Sequence, residues 1–166
     1  MGLFDSVSFG AGSQLSCAHG HALSGPFQSK SFEESGMDTY HVHEGRLFLE
    51  VRGRAFDEDA SREETSIERI PDSDEHIIVT KRPLAFQALT RTLDVYTSCS
   101  RCKPVEFRRP ALHGLSWDNM DHRSPWVEYS VTFIDGKLTK AIPKRLETRE
   151  TVVKELKAEG LSVVEA

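Results

Sequence analysis

Cys99-Ser100-Arg101-Cys102 places two sulfurs at a spacing that lets one tight turn present both to a tetrahedral zinc ion. That supplies half of a coordination sphere. Cys17-Ala18-His19-Gly20-His21 offers one cysteine and two histidines in a glycine-containing loop. Cys17, Cys99 and Cys102 with either His19 or His21 therefore make a chemically sensible Cys3His set for Zn2+, one that uses every cysteine in the chain. About 80 residues separate the two halves, so the set closes only if the fold lays the first loop beside the segment after Tyr96. The alternative is three ordinary free thiols, and the separation favours it. A thioredoxin-like redox pair is disfavoured, because Lys103-Pro104-Val105 does not open the helix that lowers a thiol pKa in such sites.

Histidine supplies the other chemistry. His41 and His43 alternate on an expected strand and point to one face, where a carboxylate such as Glu50 would complete a metal or acid–base group. His113 and His122 stand near Asp118 and Asp121 in the same way. Histidines exposed on strands and loops without any function are the commoner case. Trp117, Asp118, Asp121 and His122 also mix aromatic and polar character suited to a protein interface, while Trp126 is expected in the core. The chain has no nucleophile elbow, phosphate-binding glycine loop, dinucleotide glycine pattern or His-Glu-x-x-His. No catalytic residue is assigned.

The elements that must position these residues are mostly strands. Leu3 to Phe9 partly interleaves apolar and polar positions, and Tyr40–His43, the Glu44-Gly45 turn and Arg46–Val51 read as a hairpin. Ile67–Ile70 and Ile77–Val79 read as short strands, Thr90–Tyr96 as another, and Pro83–Leu89 as a helical turn. Trp126 to Phe133 alternates strictly and turns at Asp135-Gly136 into Lys137–Ile142, a half-buried hairpin. A helix is expected from Arg149 to Glu159, capped by Thr148 and ended by Gly160. The acidic stretch 53–66 has little to bury and reads as an exposed, mobile loop. The fold class expected is β-rich α+β, an antiparallel sheet built from hairpins and partly covered by one C-terminal helix.

A chain of 166 residues suits one domain, and 38% apolar with 28% charged residues suits a folded protein with polar loops. The net charge of −5, spread along the chain, argues against phosphate-backbone binding despite Lys103, Arg108 and Arg109. No membrane span or secretory leader is legible, and an odd cysteine count fits a reducing compartment, so the expectation is a cytoplasmic protein. Met1-Gly2 with Ser6 matches the loose acylation pattern, but no polybasic cluster follows it.

Met1-Gly2-Leu3-Phe4-Asp5, Phe27-Gln28-Ser29-Lys30, Asp38-Thr39-Tyr40 with Gly45-Arg46-Leu47, and Trp126-Val127-Glu128-Tyr129 through Phe133, Asp135, Gly136 and Leu138 frame most of the chain. In order and spacing they resemble a group of uncharacterised small bacterial and phage proteins. The resemblance implies a bacterial or phage origin and no particular activity. Some similar short proteins carry paired Cys-x-x-Cys knuckles; here Gly20 stands where the first knuckle would have its second cysteine, so His19 or His21 would have to substitute. The expected function is a non-enzymatic interaction or accessory module, zinc-stabilised and bound to a protein partner through loops 53–75 and 110–125. An exposed edge strand would also support self-association. The rival is a small metal- or histidine-dependent hydrolase or nucleotide-processing enzyme built on His41, His43, His113 and His122.

Overall fold

The strict alternation of Trp126–Ile134 buries Val127, Tyr129, Val131 and Phe133 on one face, which makes this strand the natural centre of a sheet. The computed structural model describes residues 4–10, 15–32, 37–50, 64–69, 76–81, 84–110 and 120–164. Their order is β1 (Asp5–Phe9), β2 (Phe27–Ser29), β3 (Thr39–His43), β4 (Arg46–Glu50), β5 (Glu64–Arg69), β6 (His76–Lys81), β7 (Leu84–Phe86), β8 (Arg91–Ser98), β9 (Val105–Arg108), β10 (Met120–Arg123), β11 (Trp126–Ile134), β12 (Lys137–Leu146), α1 (Arg149–Ala158) and β13 (Ser162–Val163).

The large sheet runs β12-β11-β8-β2-β1-β3-β4, and β4 returns to β12 at Arg46 opposite Lys137. Seven strands thus close into a mixed barrel, with β7 added on β4. The chain is β-rich with one C-terminal helix, as expected, but the expectation of an antiparallel sheet made of hairpins is corrected. β1 lies parallel to β3, with Val7 opposite Tyr40, because β1 buries both its edges and takes a neighbour from outside its own hairpin. Long-range pairing of that kind leaves no local sequence mark. The barrel is filled by Val7, Phe9, Phe27, Leu47, Leu93, Val95 and the inward residues of β11, with the rings of Phe9 and Phe27 edge to face at 5.3 Å.

Three local expectations also change. Leu84–Phe86, expected within a helical turn, is strand β7: it pairs with Phe48–Glu50, and Phe86 meets the Phe48 ring at 5.9 Å. Short apolar runs have no period long enough to distinguish the two states. Trp126 is half-buried and stacks on Tyr96 at 5.3 Å, so it covers the barrel's outside rather than its core. Of the acidic stretch 53–66, residues 64–66 belong to β5, which pairs with β6, and the remainder lies outside the described residues.

The helix is the expected one. Thr148 Oγ1 accepts the Thr151 N–H at 3.2 Å, and Val152 and Leu156 are buried. They pack with Val105 and Phe107, so α1 covers the small β10-β9-β13 sheet and not the large one. Glu147, 1% exposed, ties this flank to the barrel. It accepts the Trp126 N–H at 2.8 Å and pairs with Arg123 of β10 and Arg145 of β12, both of which also reach Glu155 of α1. Those two guanidinium groups, Arg123 first, hold the Glu155 carboxyl below its ordinary range.

Two substitutions test this frame by thermal and urea unfolding. At Gly136, φ is +76° and a Cβ would collide with the Gln87 carbonyl and the Phe86 ring, so G136A is expected to cost more than about 1 kcal/mol. E147A removes the acceptor of the Trp126 N–H and leaves Arg123 and Arg145 with Glu155 as their carboxylate, and is expected to cost about 2 kcal/mol, whereas E147Q, which keeps an acceptor for Trp126, costs less.

Candidate metal centre

The first half of the site is a tight loop. Ser16 bridges Ala22, the Cys17 N–H donates to the His21 carbonyl at 3.1 Å, and the Gly20 N–H donates to the Cys17 carbonyl at 3.0 Å. Gly20 takes φ +82°, which lets the chain reverse within four residues of Cys17. The second half caps β8: Cys99 follows its last residue, and the Cys102 N–H donates back to the Cys99 carbonyl at 3.3 Å.

Strand pairing brings the halves together. β2 runs antiparallel to β8 with Gln28 opposite Tyr96, so the start of β2 lies beside the end of β8. The loop that precedes β2 therefore meets the turn that follows β8, the juxtaposition the sequence required and could not display. Tyr129 fixes it further, donating its hydroxyl proton to the Ser16 carbonyl at 2.8 Å and accepting the Ser16 N–H at 3.1 Å. Arg101, inside the second turn, donates to the Ala22 carbonyl of the first loop. Neither residue was marked by sequence reasoning; the only signal was the position of Arg101 between the two cysteines.

The ligand atoms of Cys17, His21, Cys99 and Cys102 all lie within 4.8 Å of one another. His21 Nδ1 stands 3.4 Å from Cys17 Sγ, 3.5 Å from Cys99 Sγ and 3.5 Å from Cys102 Sγ, and Cys17 Sγ is 3.7 Å from Cys102 Sγ. A zinc tetrahedron with bonds of about 2.3 Å to sulfur and about 2.0 Å to nitrogen has sulfur–sulfur edges of about 3.8 Å and sulfur–nitrogen edges of about 3.5 Å. Four of the six edges match these values, and the two from Cys99 Sγ to the other sulfurs lie within 4.8 Å. Of the two candidate histidines, His21 faces all three sulfurs, whereas His19 is exposed and its Nδ1 reaches Cys102 Sγ at 3.4 Å.

All three cysteines are buried. Without a cation they cannot all be thiolates at little cost. Burial pushes the Cys102 thiol up to about 12, reinforced by the neighbouring sulfurs of Cys99 and Cys17. Burial acts the same way on Cys17, but the backbone N–H groups of His21 and His19, with the thiols of Cys102 and Cys99, outweigh it and hold Cys17 below its ordinary value. Of these two sulfurs, Cys17 is the more readily charged and Cys102 the less.

The remaining candidates stand apart. His41 Nε2 lies 2.6 Å from Glu50 Oε1 across the β3–β4 hairpin, and His43 is exposed on the same outward face. Asp121 and His122 belong to β10 in the small sheet: Asp121 meets Arg109 at 2.9 Å, and the His122 N–H followed by Arg109 holds its carboxyl below the ordinary value. Asp121 and His122 line an open depression of about 330 Å³ with Pro104, Glu106 and Met120. His113, Trp117 and Asp118 lie outside the described residues. Among the described residues, no other group of three or more candidate ligands meets the spacing of the Cys3His cluster. No helix there is long and apolar enough to cross a membrane. Compared with protein-family models, curated proteins and solved structures, the chain matches none.

Cobalt(II) reports this geometry through its ligand-field bands. Wild-type protein and H19A are expected to give the intense spectrum of a tetrahedral sulfur-rich centre, and H21A to bind the ion at least about tenfold more weakly.

Proposed function

We propose that this chain is a zinc-stapled β-barrel module that acts by binding another protein and performs no chemistry of its own. The observation that carries the reading is the closed character of the Cys3His cluster. Four protein ligands complete a tetrahedron and three of them are buried, so no position is left for a reacting water or substrate, which is how structural zinc sites differ from catalytic ones. The reduced state of the cysteines that such a site needs fits a reducing, cytoplasmic setting.

A hydrolase or nucleotide-processing enzyme would need its histidines and carboxylates to converge in one concave pocket. Among the described residues they are dispersed: His41 and His43 stand on the barrel's outer face, and His122 on the small sheet. The His41–Glu50 contact joins a histidine to a carboxylate, and it lies on an outward strand surface.

Elemental mass spectrometry of protein purified without added zinc, paired with C99S/C102S, tests the reading. About one zinc per chain is expected, and the double variant should lose both the metal and more than about 3 kcal/mol of unfolding free energy, a fraction of what zinc binding to a tetrahedral set can supply. H41A is expected to leave both unchanged. Metal-free wild type with an equally stable double variant would overturn the zinc staple, and ester or phosphodiester hydrolysis lost in H41A would overturn the non-enzymatic reading.

A further inference from the structure

β12 is exposed in a way that a closed barrel does not require. It pairs with β11 along its whole length but meets β4 only at Lys137, and the Leu138 N–H donates to the Gly45 carbonyl at 2.7 Å. The two strands are antiparallel and β4 begins at Arg46, so residues beyond Leu138 run past the end of the β3–β4 hairpin. Among the described residues no strand lies along that second edge. Thr139 to Arg145 are all exposed, seven consecutive residues of one strand, so both of its faces are open as well as its edge.

The chemistry of this edge is one-sided. Lys137, Lys140, Lys144 and Arg145 are its charged residues, and no acid interrupts them, in a chain whose net charge is −5. Lys144 is held by Asp94 and Glu128, and Arg145 by Glu147 and Glu155. Lys137 and Lys140 enter no ion pair among the described residues. The register sorts the two faces: Ala141 and Pro143 stand opposite Val131 and Tyr129, on the core side, while Lys140 and Ile142 stand opposite Thr132 and Ser130, on the outer side.

We infer that the free edge of β12 binds an extended segment of another protein as an added strand, with acidic residues on its outer face and small apolar residues on its inner face. This rests on the interaction-module reading and names its surface. Main-chain hydrogen bonds would supply affinity and the alternating side chains selectivity. Pro143 withholds one donor, so the pairing centres on Thr139–Ile142. A second copy of this chain is the poorer occupant: pairing β12 with itself crowds its lysines against like charge, the device by which exposed edges avoid self-association.

The test uses full-length protein and a fluorescent peptide of about nine residues alternating glutamate and valine, with its lysine–valine counterpart as control. Anisotropy is expected to show saturable binding of the acidic peptide only. K140E, checked for unchanged melting temperature, should weaken it about fivefold. Backbone amide resonances of Thr139–Ile142 should move on titration of the wild type. Equal binding of both peptides, unshifted β12 amides, self-association through β12 in place of peptide capture, or preferential binding of a single-stranded oligonucleotide would each overturn this surface. Those failures leave the module reading to the zinc and H41A measurements, while turnover that depends on His41, with intact peptide binding, would overturn that reading and spare this one.

Discussion

The antiparallel pairing of β2 with β8 is the contact on which the rest depends. It is short, with Gln28 opposite Tyr96, yet it brings the Cys17 loop beside the Cys99–Cys102 turn. The resulting cluster joins side chains 85 positions apart in the chain, Cys17 and Cys102, at 3.7 Å. Closing so long a loop is entropically costly for any single contact, and a metal ligated from both ends is the kind of cross-link that offsets it. At the other end of β11 the barrel is closed by the Arg46–Lys137 pair and the Gly136 turn. The cysteine cluster and this strand closure therefore pin opposite ends of the same central strand.

What the sequence disclosed follows the range of the interactions concerned. The β11–β12 hairpin, the β3–β4 hairpin and the capped helix α1 were legible because alternation, turn glycines and the Thr148 cap act within a few residues. The parallel β1–β3 pair was not, since nothing local distinguishes Val7 opposite Tyr40 from Val7 opposite any other strand. Barrel closure was hidden for the same reason. β7 was misread because three residues are too few to show a period, and Trp126 because a tryptophan's size says that it is covered, not from which side.

The candidate site divides along the same line. Residue types identified Cys17, Cys99, Cys102 and a histidine, and only the fold chose between His19 and His21 by placing one ring against all three sulfurs. Tyr129 and Arg101 hold the halves together through main-chain groups, contacts for which sequence carries no signature. Glu50 was named as the carboxylate that could meet His41, and the two do meet, on an outward strand surface. Among the described residues the candidate ligands thus gather in one cluster of three buried cysteines and His21.

X-ray absorption at the zinc edge of the purified full-length protein reads the ligand shell of the Cys3His cluster without altering it. Three sulfur neighbours at about 2.3 Å and one nitrogen at about 2.0 Å are expected, with no oxygen shell. A shell holding one or two sulfurs completed by oxygen would contradict it, for it would mean that the β2–β8 pairing does not bring the two loops into a single closed site.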